Sequence, residues 1–73
     1  LGDVYKRQEL ITFTAIVTLG GCESQAKAHA AANISVGNSR QDLLDALTIA
    51  LPYIGYPRTL NGLSCVNAIA PSK

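Results

Sequence analysis

The chain has 73 residues, two cysteines and a formal charge of +1, and these values limit the classes of protein that it can represent. This length suits one small domain, and two cysteines do not make the disulfide framework of a small secreted protein, so we expect free thiols in a reducing cytoplasm. A hydrophobic fraction of 48% with 15% charged residues excludes a disordered chain, and the charge gives no basis for binding nucleic acid or an anionic membrane.

The first eight residues read as translated sequencing adapter. Residues 3–8, Asp-Val-Tyr-Lys-Arg-Gln, match the transposase-adapter end used in sequencing libraries. We therefore predict that residues 1–8 are an artefact on a metagenomic fragment and that residues 9–73 form a partial domain. Removing Lys6, Arg7 and Asp3 from six basic and five acidic residues leaves four of each, so the remaining chain is neutral.

Residues 6–22 also resemble a bacterial lipoprotein signal, with Leu-Gly-Gly-Cys at 19–22 as the lipidation box. Its positive charges belong to the suspected adapter, however, and Glu9 with three threonines interrupts the apolar stretch. The run is also too short to span a bilayer. We keep lipidation of Cys22 as an alternative and expect a cytoplasmic protein without membrane association.

Residues 9–19 are compatible with a strand or a helix. Many of them are β-branched, and apolar residues alternate at 11, 13, 15, 17 and 19, which favours a strand. Positions 10, 13, 16 and 17 also form a helical stripe, and Gly20-Gly21 suits a left-handed helix stop. The residues alone leave both interpretations open.

The following segments favour helices. Ser24 is placed to cap an alanine-rich helix that ends near Val36, with Gly37 as its stop. Ser39 begins the next helix with a capping box in which Asp42 replaces the usual glutamate. We expect its apolar stripe to be buried and its polar face, Asp42, Asp45 and Thr48, to be exposed; the stripe consists of Leu43, Leu44, Leu47, Ala50, Leu51 and Ile54.

Pro52 is expected to kink or end this helix, with Gly55 as the turn. Pro57 is then well placed as the first residue of a final helix that runs to about Ala70, before Pro71. Its candidates for burial are Leu60, Leu63, Val66 and Ile69. The sequence therefore predicts an all-α bundle of about four helices joined by short turns.

Four residues are spaced for chemistry around the alanine-rich helix. If the helix begins close to Cys22, then Cys22, Gln25 and His29 line one face of its first two turns. A thiol at a helix start lies in the positive field of the helix dipole, which favours the reactive thiolate, and a histidine nearby can relay protons. Glu9 would orient that histidine if the first two helices pack antiparallel. A structural histidine and an inert thiol remain the alternative interpretation.

The chain resembles the carboxymuconolactone decarboxylase family over residues 9–70. One block consists of Glu-Leu-Ile at 9–11, Gly-Gly-Cys-Glu-Ser-Gln at 20–25, His29 and Val-Gly at 36–37; the other is Leu-Pro-Tyr-Ile-Gly-Tyr-Pro-Arg-Thr-Leu-Asn at 51–61. The resemblance implies an all-α, alkylhydroperoxidase D-like fold that lacks its first helices here. It also implies a bacterial homo-oligomer, commonly a trimer or a hexamer.

The family has two chemistries, and the resemblance assigns residues to each. One branch decarboxylates a carboxylated muconolactone. The other, similar to alkylhydroperoxidase D, reduces peroxides with a Cys-x-x-Cys pair assisted by a glutamate and a histidine. Here Cys22 and His29 match that pattern, but the second cysteine position is Gln25, which cannot resolve a disulfide. Glu9 also lies one residue farther from Cys22 than the pattern expects.

Three functional hypotheses follow. The first is decarboxylation of a small carboxylated lactone or related acid, with His29 as general acid/base and no cofactor, since the sequence has no metal-ligand spacing or nucleotide motif. The second is a thiol-dependent peroxidase in which Cys22 attacks peroxide and an external thiol resolves it; Cys65 can substitute only if it lies close in space or in a neighbouring subunit. The third is a non-catalytic oligomeric binding module. We expect His29, Cys22 and Glu9 to be the catalytic residues.

Overall fold

The computed structural model describes residues 2–71, and these residues form three α-helices and no strand. Helix α1 spans Gly2–Leu19, α2 spans Glu23–Ser35 and α3 spans Arg40–Ile69. Each helix packs against the other two. The all-α prediction is therefore confirmed. Leu1 and residues 72–73, which belong to the predicted segments 1–8 and 9–73, lie outside the described residues.

The segment that was compatible with strand or helix is the second half of α1. Its threonines fit a helix because each hydroxyl donates to the carbonyl four residues earlier, at 2.8 Å, in Thr12, Thr14 and Thr18. The helix also buries Phe13 and Val17 on one side, one turn apart. Burial of this stripe and satisfaction of the hydroxyls outweigh the β-propensity of the sequence.

The turn between α1 and α2 is built by two glycines. Gly20 and Gly21 have φ values of 79° and 71°, in the left-handed region that favours glycine, which confirms the predicted helix stop. Helix α2 then begins earlier than predicted. Cys22 is its N-cap residue and makes no side-chain capping bond. The prediction that Ser24 caps this helix is therefore wrong, because the glycine turn delivers the chain into helical geometry by Glu23.

The start of α3 and the end of α2 agree with the sequence. Helix α2 ends at Ser35, followed by Gly37 with φ of 99°. Ser39 is the N-cap of α3 and forms both bonds of the capping box with Asp42. The hydrogen bonds from the Ser39 backbone N–H and side chain lower the pKa of the exposed Asp42 carboxyl.

Helix α3 folds back on itself at Gly55. This residue has φ of 84° and ψ of 166°, which no helix permits. The Arg40 guanidinium donates to the carbonyl of Ala70 at the two ends of α3, so residues 40–54 and 56–69 run antiparallel. The predicted third and fourth helices are these two halves, which is why three helices are observed rather than four. The helix continues through Pro52, so the break lies at Gly55, not at the proline.

The core lies between all three helices. It is formed by Phe13, Val17, Ala26, Ala30, Leu43, Leu47, Cys65 and Val66. Gly62 is also buried, and a Cβ atom there would lie 2.7 Å from Leu47 and 2.9 Å from Val17, so glycine permits the two halves of α3 and α1 to approach closely.

The predicted burial pattern of α3 is confirmed in its first half and partly wrong in its second. Leu43, Leu47 and Ala50 are buried, and Leu44, Leu51 and Ile54 are partly buried, whereas Asp42, Asp45 and Thr48 are exposed. In the second half Val66 is buried and Leu63 is partly buried. Leu60 and Ile69, however, are 57% and 38% exposed, because the burial stripe there follows Gly62, Cys65 and Val66 instead.

Residues 2–8 form the first turns of α1. Their assignment to adapter sequence stays a prediction. Within the described chain, none of the three helices combines the length and the apolar character that crossing a membrane requires.

Candidate active site

A glutamate on α1 and a histidine on α2 meet where the two helices pack. Glu9 Oε1 lies 2.8 Å from His29 Nδ1. The short glycine turn makes α1 and α2 antiparallel, and this arrangement brings the two residues together, as expected if the helices pack in that way. The side chains are 24% and 36% exposed, respectively. The pair is therefore partly shielded from water and still reachable by a small molecule.

The contact fixes the chemical role of each nitrogen of the histidine ring. A carboxylate only accepts hydrogen bonds, so we assign to His29 the tautomer in which Nδ1 carries the proton and donates it to Glu9. No hydrogen bond to Nε2 is made by the residues that the structure describes. Nε2 is thus the nitrogen that remains for a substrate, and Glu9 holds the ring in one orientation.

A buried asparagine fastens the two helices beside this pair. Asn33 is fully buried, and its amide NH₂ donates to the backbone carbonyl of Glu9 at 3.0 Å and to that of His29 at 2.7 Å. Its side-chain oxygen accepts from the amide of Asn38 at 2.8 Å. The NH₂ group and the side-chain oxygen of Asn33 are therefore both hydrogen-bonded within the protein, as is usual for buried polar groups. Asn33 thus fixes the backbone positions from which Glu9 and His29 project.

Asn38 extends this network to the start of α1. Its amide also donates to the backbone carbonyl of Lys6 at 2.8 Å. The contact involves only the main chain of residue 6, so any residue at that position provides it. The two asparagines together link the end of α2 to α1 on the side of the glutamate–histidine pair.

Asn33 and Asn38 are site residues that were not predicted from the sequence. One feature of the sequence could have identified Asn33. Asn33 lies four residues after His29, on the same helix face, in a segment otherwise composed of alanine and small residues. A polar residue on the buried face of a helix requires partners, and the partners here are the backbone carbonyls of the two site residues.

Replacing Asn33 by leucine is expected to lower the free energy of unfolding by about 1–3 kcal/mol, because Asn38 loses a buried acceptor and two carbonyls lose a donor. Urea unfolding followed by circular dichroism at one protein concentration measures the change. Asn67→Leu is the matched control, since Asn67 is exposed on α3, and we expect it to change stability by less than about 0.5 kcal/mol. Equal effects of the two substitutions would contradict the role given to Asn33.

The predicted cysteine lies apart from the glutamate–histidine pair. Cys22 and His29 are about 10 Å apart along α2, given a rise of about 1.5 Å per residue. Cys22 instead lines a cavity of about 20 Å³ together with Cys65. Other lining residues include Arg58 and Gly62, and we refer to this space as the thiol cavity. Both cysteines are free thiols.

The two departures from the peroxidase pattern have structural consequences. Gln25, which occupies the second cysteine position, lies in the first turn of α2 and is exposed. The additional residue between Glu9 and Cys22 does not prevent the contact of Glu9 with His29.

Within residues 2–71, no group of three or more histidine, cysteine, aspartate or glutamate side chains is arranged to hold a metal ion.

The helices pack around a glutamate–histidine pair, and a thiol lies at the start of the histidine-bearing helix. The chain is therefore an all-helical protein with a candidate proton-transfer site. The family model of the Carboxymuconolactone decarboxylase family matches residues 5–68, and the chain belongs to this family. The family resemblance of the sequence is thereby confirmed. Comparison with curated proteins and with solved structures finds no match.

Proposed function

We propose that the chain is a decarboxylase that acts on a small carboxylated lactone or a related acid and needs no cofactor. The contact between Glu9 Oε1 and His29 Nδ1 carries this proposal. It supplies an oriented imidazole whose second nitrogen faces no protein partner among the described residues. An oriented general acid/base is the one group that such a decarboxylation requires from the protein, since a conjugated lactone is its own electron sink.

The reaction consists of one bond cleavage and one proton transfer. The C–C bond to the carboxylate breaks, carbon dioxide leaves, and the electron pair moves into the conjugated carbonyl as an enolate. His29, protonated at both nitrogens, gives its Nε2 proton to carbon. The neutral ring retains the Nδ1 proton that it donates to Glu9, so the same contact is maintained before and after transfer.

Release of carbon dioxide from carboxymuconolactone by the purified chain tests the proposal. Cys22→Ser is the control, because a decarboxylase that uses His29 should retain its turnover without the thiol. Absence of carbon dioxide release from wild-type protein that is folded by circular dichroism would contradict the proposal. If neither His29→Ala nor Cys22→Ser altered carbon dioxide release or peroxide consumption, the non-catalytic binding module would be favoured.

A thiol-dependent peroxidase is the second candidate function. The observation that favours it is the position of Cys22, a free and partly exposed thiol at the start of α2 on the edge of the thiol cavity. In this function Cys22 attacks the peroxide and another thiol resolves the product. Thiol-dependent peroxide consumption that disappears in Cys22→Ser would support it.

We also propose a cytoplasmic location. The free thiols of Cys22 and Cys65 support it, because thiols stay reduced in that compartment.

We also propose that the chain forms a homo-oligomer, as a trimer or a hexamer. Large apolar side chains are exposed in unusual number for so small a protein; those that are more than half exposed include Ile11, Leu19, Ile49, Tyr53, Tyr56 and Leu60. Apolar surface of this extent favours burial between subunits. We expect the molar mass from light scattering to rise with protein concentration. A monomer that melts cooperatively and independently of concentration would contradict this proposal.

A further inference from the structure

The decarboxylase proposal gives no role to Cys65, although this residue has an unusual environment. It lies in the second half of α3 and is 2% exposed. Its thiol donates to the backbone carbonyl of Glu23, at an Sγ–O distance of 3.8 Å. Burial raises the pKa of the Cys65 thiol, so this group is protonated at neutral pH.

The carbonyl that accepts the hydrogen bond from the Cys65 thiol belongs to the residue next to Cys22. Glu23 follows Cys22 at the start of α2, and the two cysteines border the same thiol cavity. The volume of about 20 Å³ is that of a space for one water molecule. Two thiols that are distant in sequence thus border the same small space, beside the start of α2.

A bond across this space requires Cys22 to move toward Cys65, and the glycine turn before Cys22 is where the backbone has room to rotate. Cys22 has non-helical backbone angles, φ of −118° and ψ of 48°, and its side chain makes no capping bond. The preceding Gly21 has left-handed φ, and no atom lies within 4 Å of the position where its Cβ would be. A shift of Cys22 toward Cys65 therefore involves rotation in this turn, and it also moves the Cys22 carbonyl, which accepts the first hydrogen bond of α2 from the Ala26 N–H at 2.8 Å.

We infer that Cys65 is the resolving thiol for Cys22 and that a hydroperoxide converts the two into an intrachain disulfide across the thiol cavity. This inference rests on the second candidate function, the reactivity of Cys22 toward peroxide. It supplies within the chain the partner thiol that Gln25 does not provide. The disulfide joins the start of α2 to the second half of α3.

Disulfide formation takes two steps, one at each cysteine. The Cys22 thiolate attacks one peroxide oxygen, the O–O bond breaks, and the leaving oxygen takes a proton to become an alcohol or water. Cys22 is then a sulfenic acid. The sulfur of Cys65 attacks the Cys22 sulfur, the S–O bond breaks, and the hydroxide leaves as water with the proton from Cys65. An external dithiol then reduces the disulfide by exchange: it supplies two electrons and two protons and is itself oxidised to a disulfide.

The exposures of the two residues determine the order of attack. Cys22 is partly exposed and is the thiol that a peroxide reaches first. Cys65 is buried, so it is shielded from dissolved peroxide and reacts only with an oxidised sulfur that is already beside it. The predicted product is therefore a disulfide within one chain rather than between two chains.

The test is oxidation of the intact folded chain with one equivalent of hydrogen peroxide, alkylation of the remaining thiols, and peptide mapping by mass spectrometry. We expect a Cys22–Cys65 disulfide, with the loss of two hydrogens from the chain mass. In Cys65→Ala we expect Cys22 to accumulate as sulfenic acid, trapped by dimedone, and sulfinic acid to rise several-fold over wild type. In Cys22→Ser we expect Cys65 to stay reduced.

Two results would overturn the inference, and they are distinguishable. Oxidation of wild-type Cys22 to sulfenic or sulfinic acid without a link to Cys65 would remove the role of Cys65 and leave peroxide reactivity intact. No oxidation of Cys22 under these conditions would remove the peroxidase candidate as well. Because the wild-type peptide map decides between these results, the test holds even if Cys65→Ala folds poorly.

Discussion

Replacing His29 by alanine is expected to lower kcat/KM for decarboxylation by about 10²–10⁴-fold, the usual contribution of a general acid/base. The substitution removes the Nε2 proton that the proposed mechanism transfers to carbon. The measurement is carbon dioxide release at saturating and subsaturating substrate, with Cys22→Ser as the comparison. We expect Cys22→Ser to remain within a few-fold of wild type.

The structure of the variant must be checked beside its activity. The His29 side chain is partly exposed, so its loss should leave the fold intact, and the far-ultraviolet circular dichroism should match that of wild type. A well-folded His29→Ala protein with normal kcat/KM would contradict the assignment of proton transfer to this residue. Loss of carbon dioxide release in Cys22→Ser alone would show that the thiol, and not the histidine, is required for decarboxylation.

Replacing Phe13 by alanine is expected to have the largest effect on stability, with a loss of about 3–5 kcal/mol in the free energy of unfolding. Phe13 is fully buried at the centre of the core, one turn after Glu9 on the same helix. Small domains have little stability in reserve, so this loss is expected to unfold much of the population. Thermal and urea denaturation measure it.

Ile11→Ala is the matched control for Phe13→Ala. Ile11 lies on the same helix and is 67% exposed, so its truncation should change the free energy of unfolding of the isolated chain by less than about 0.5 kcal/mol. If self-association protects Ile11, its effect should grow with protein concentration. Comparable losses for both variants in dilute solution would show that Phe13 is not the centre of the core.

The sequence predicts the helices well wherever local chemistry determines them. Ser39 and Asp42 form a capping box because their spacing alone permits both bonds. Gly37 and Gly55 end helical segments because left-handed φ strongly favours glycine. Residues 9–19, by contrast, required tertiary information, since only packing of Phe13 against the other helices decides between strand and helix.

The candidate site was predictable in part. The spacing of Cys22 and His29 identifies one helix face, and antiparallel packing brings Glu9 to the histidine. The role of Asn33 was not visible, because its partners are backbone carbonyls and carbonyls carry no sequence signal. The proximity of Cys65 to Cys22 was also not visible, since it depends on the fold-back of α3 at Gly55.

The most direct test of the central claim, that Glu9 acts through His29, is a double-mutant cycle on kcat/KM for decarboxylation. Glu9→Gln retains the size of the side chain and removes its charge, and we expect a loss of about tenfold or more from the single substitution. We expect His29→Ala combined with Glu9→Gln to have the same kcat/KM as His29→Ala alone. Losses that multiply in the double variant would show that Glu9 acts independently of His29.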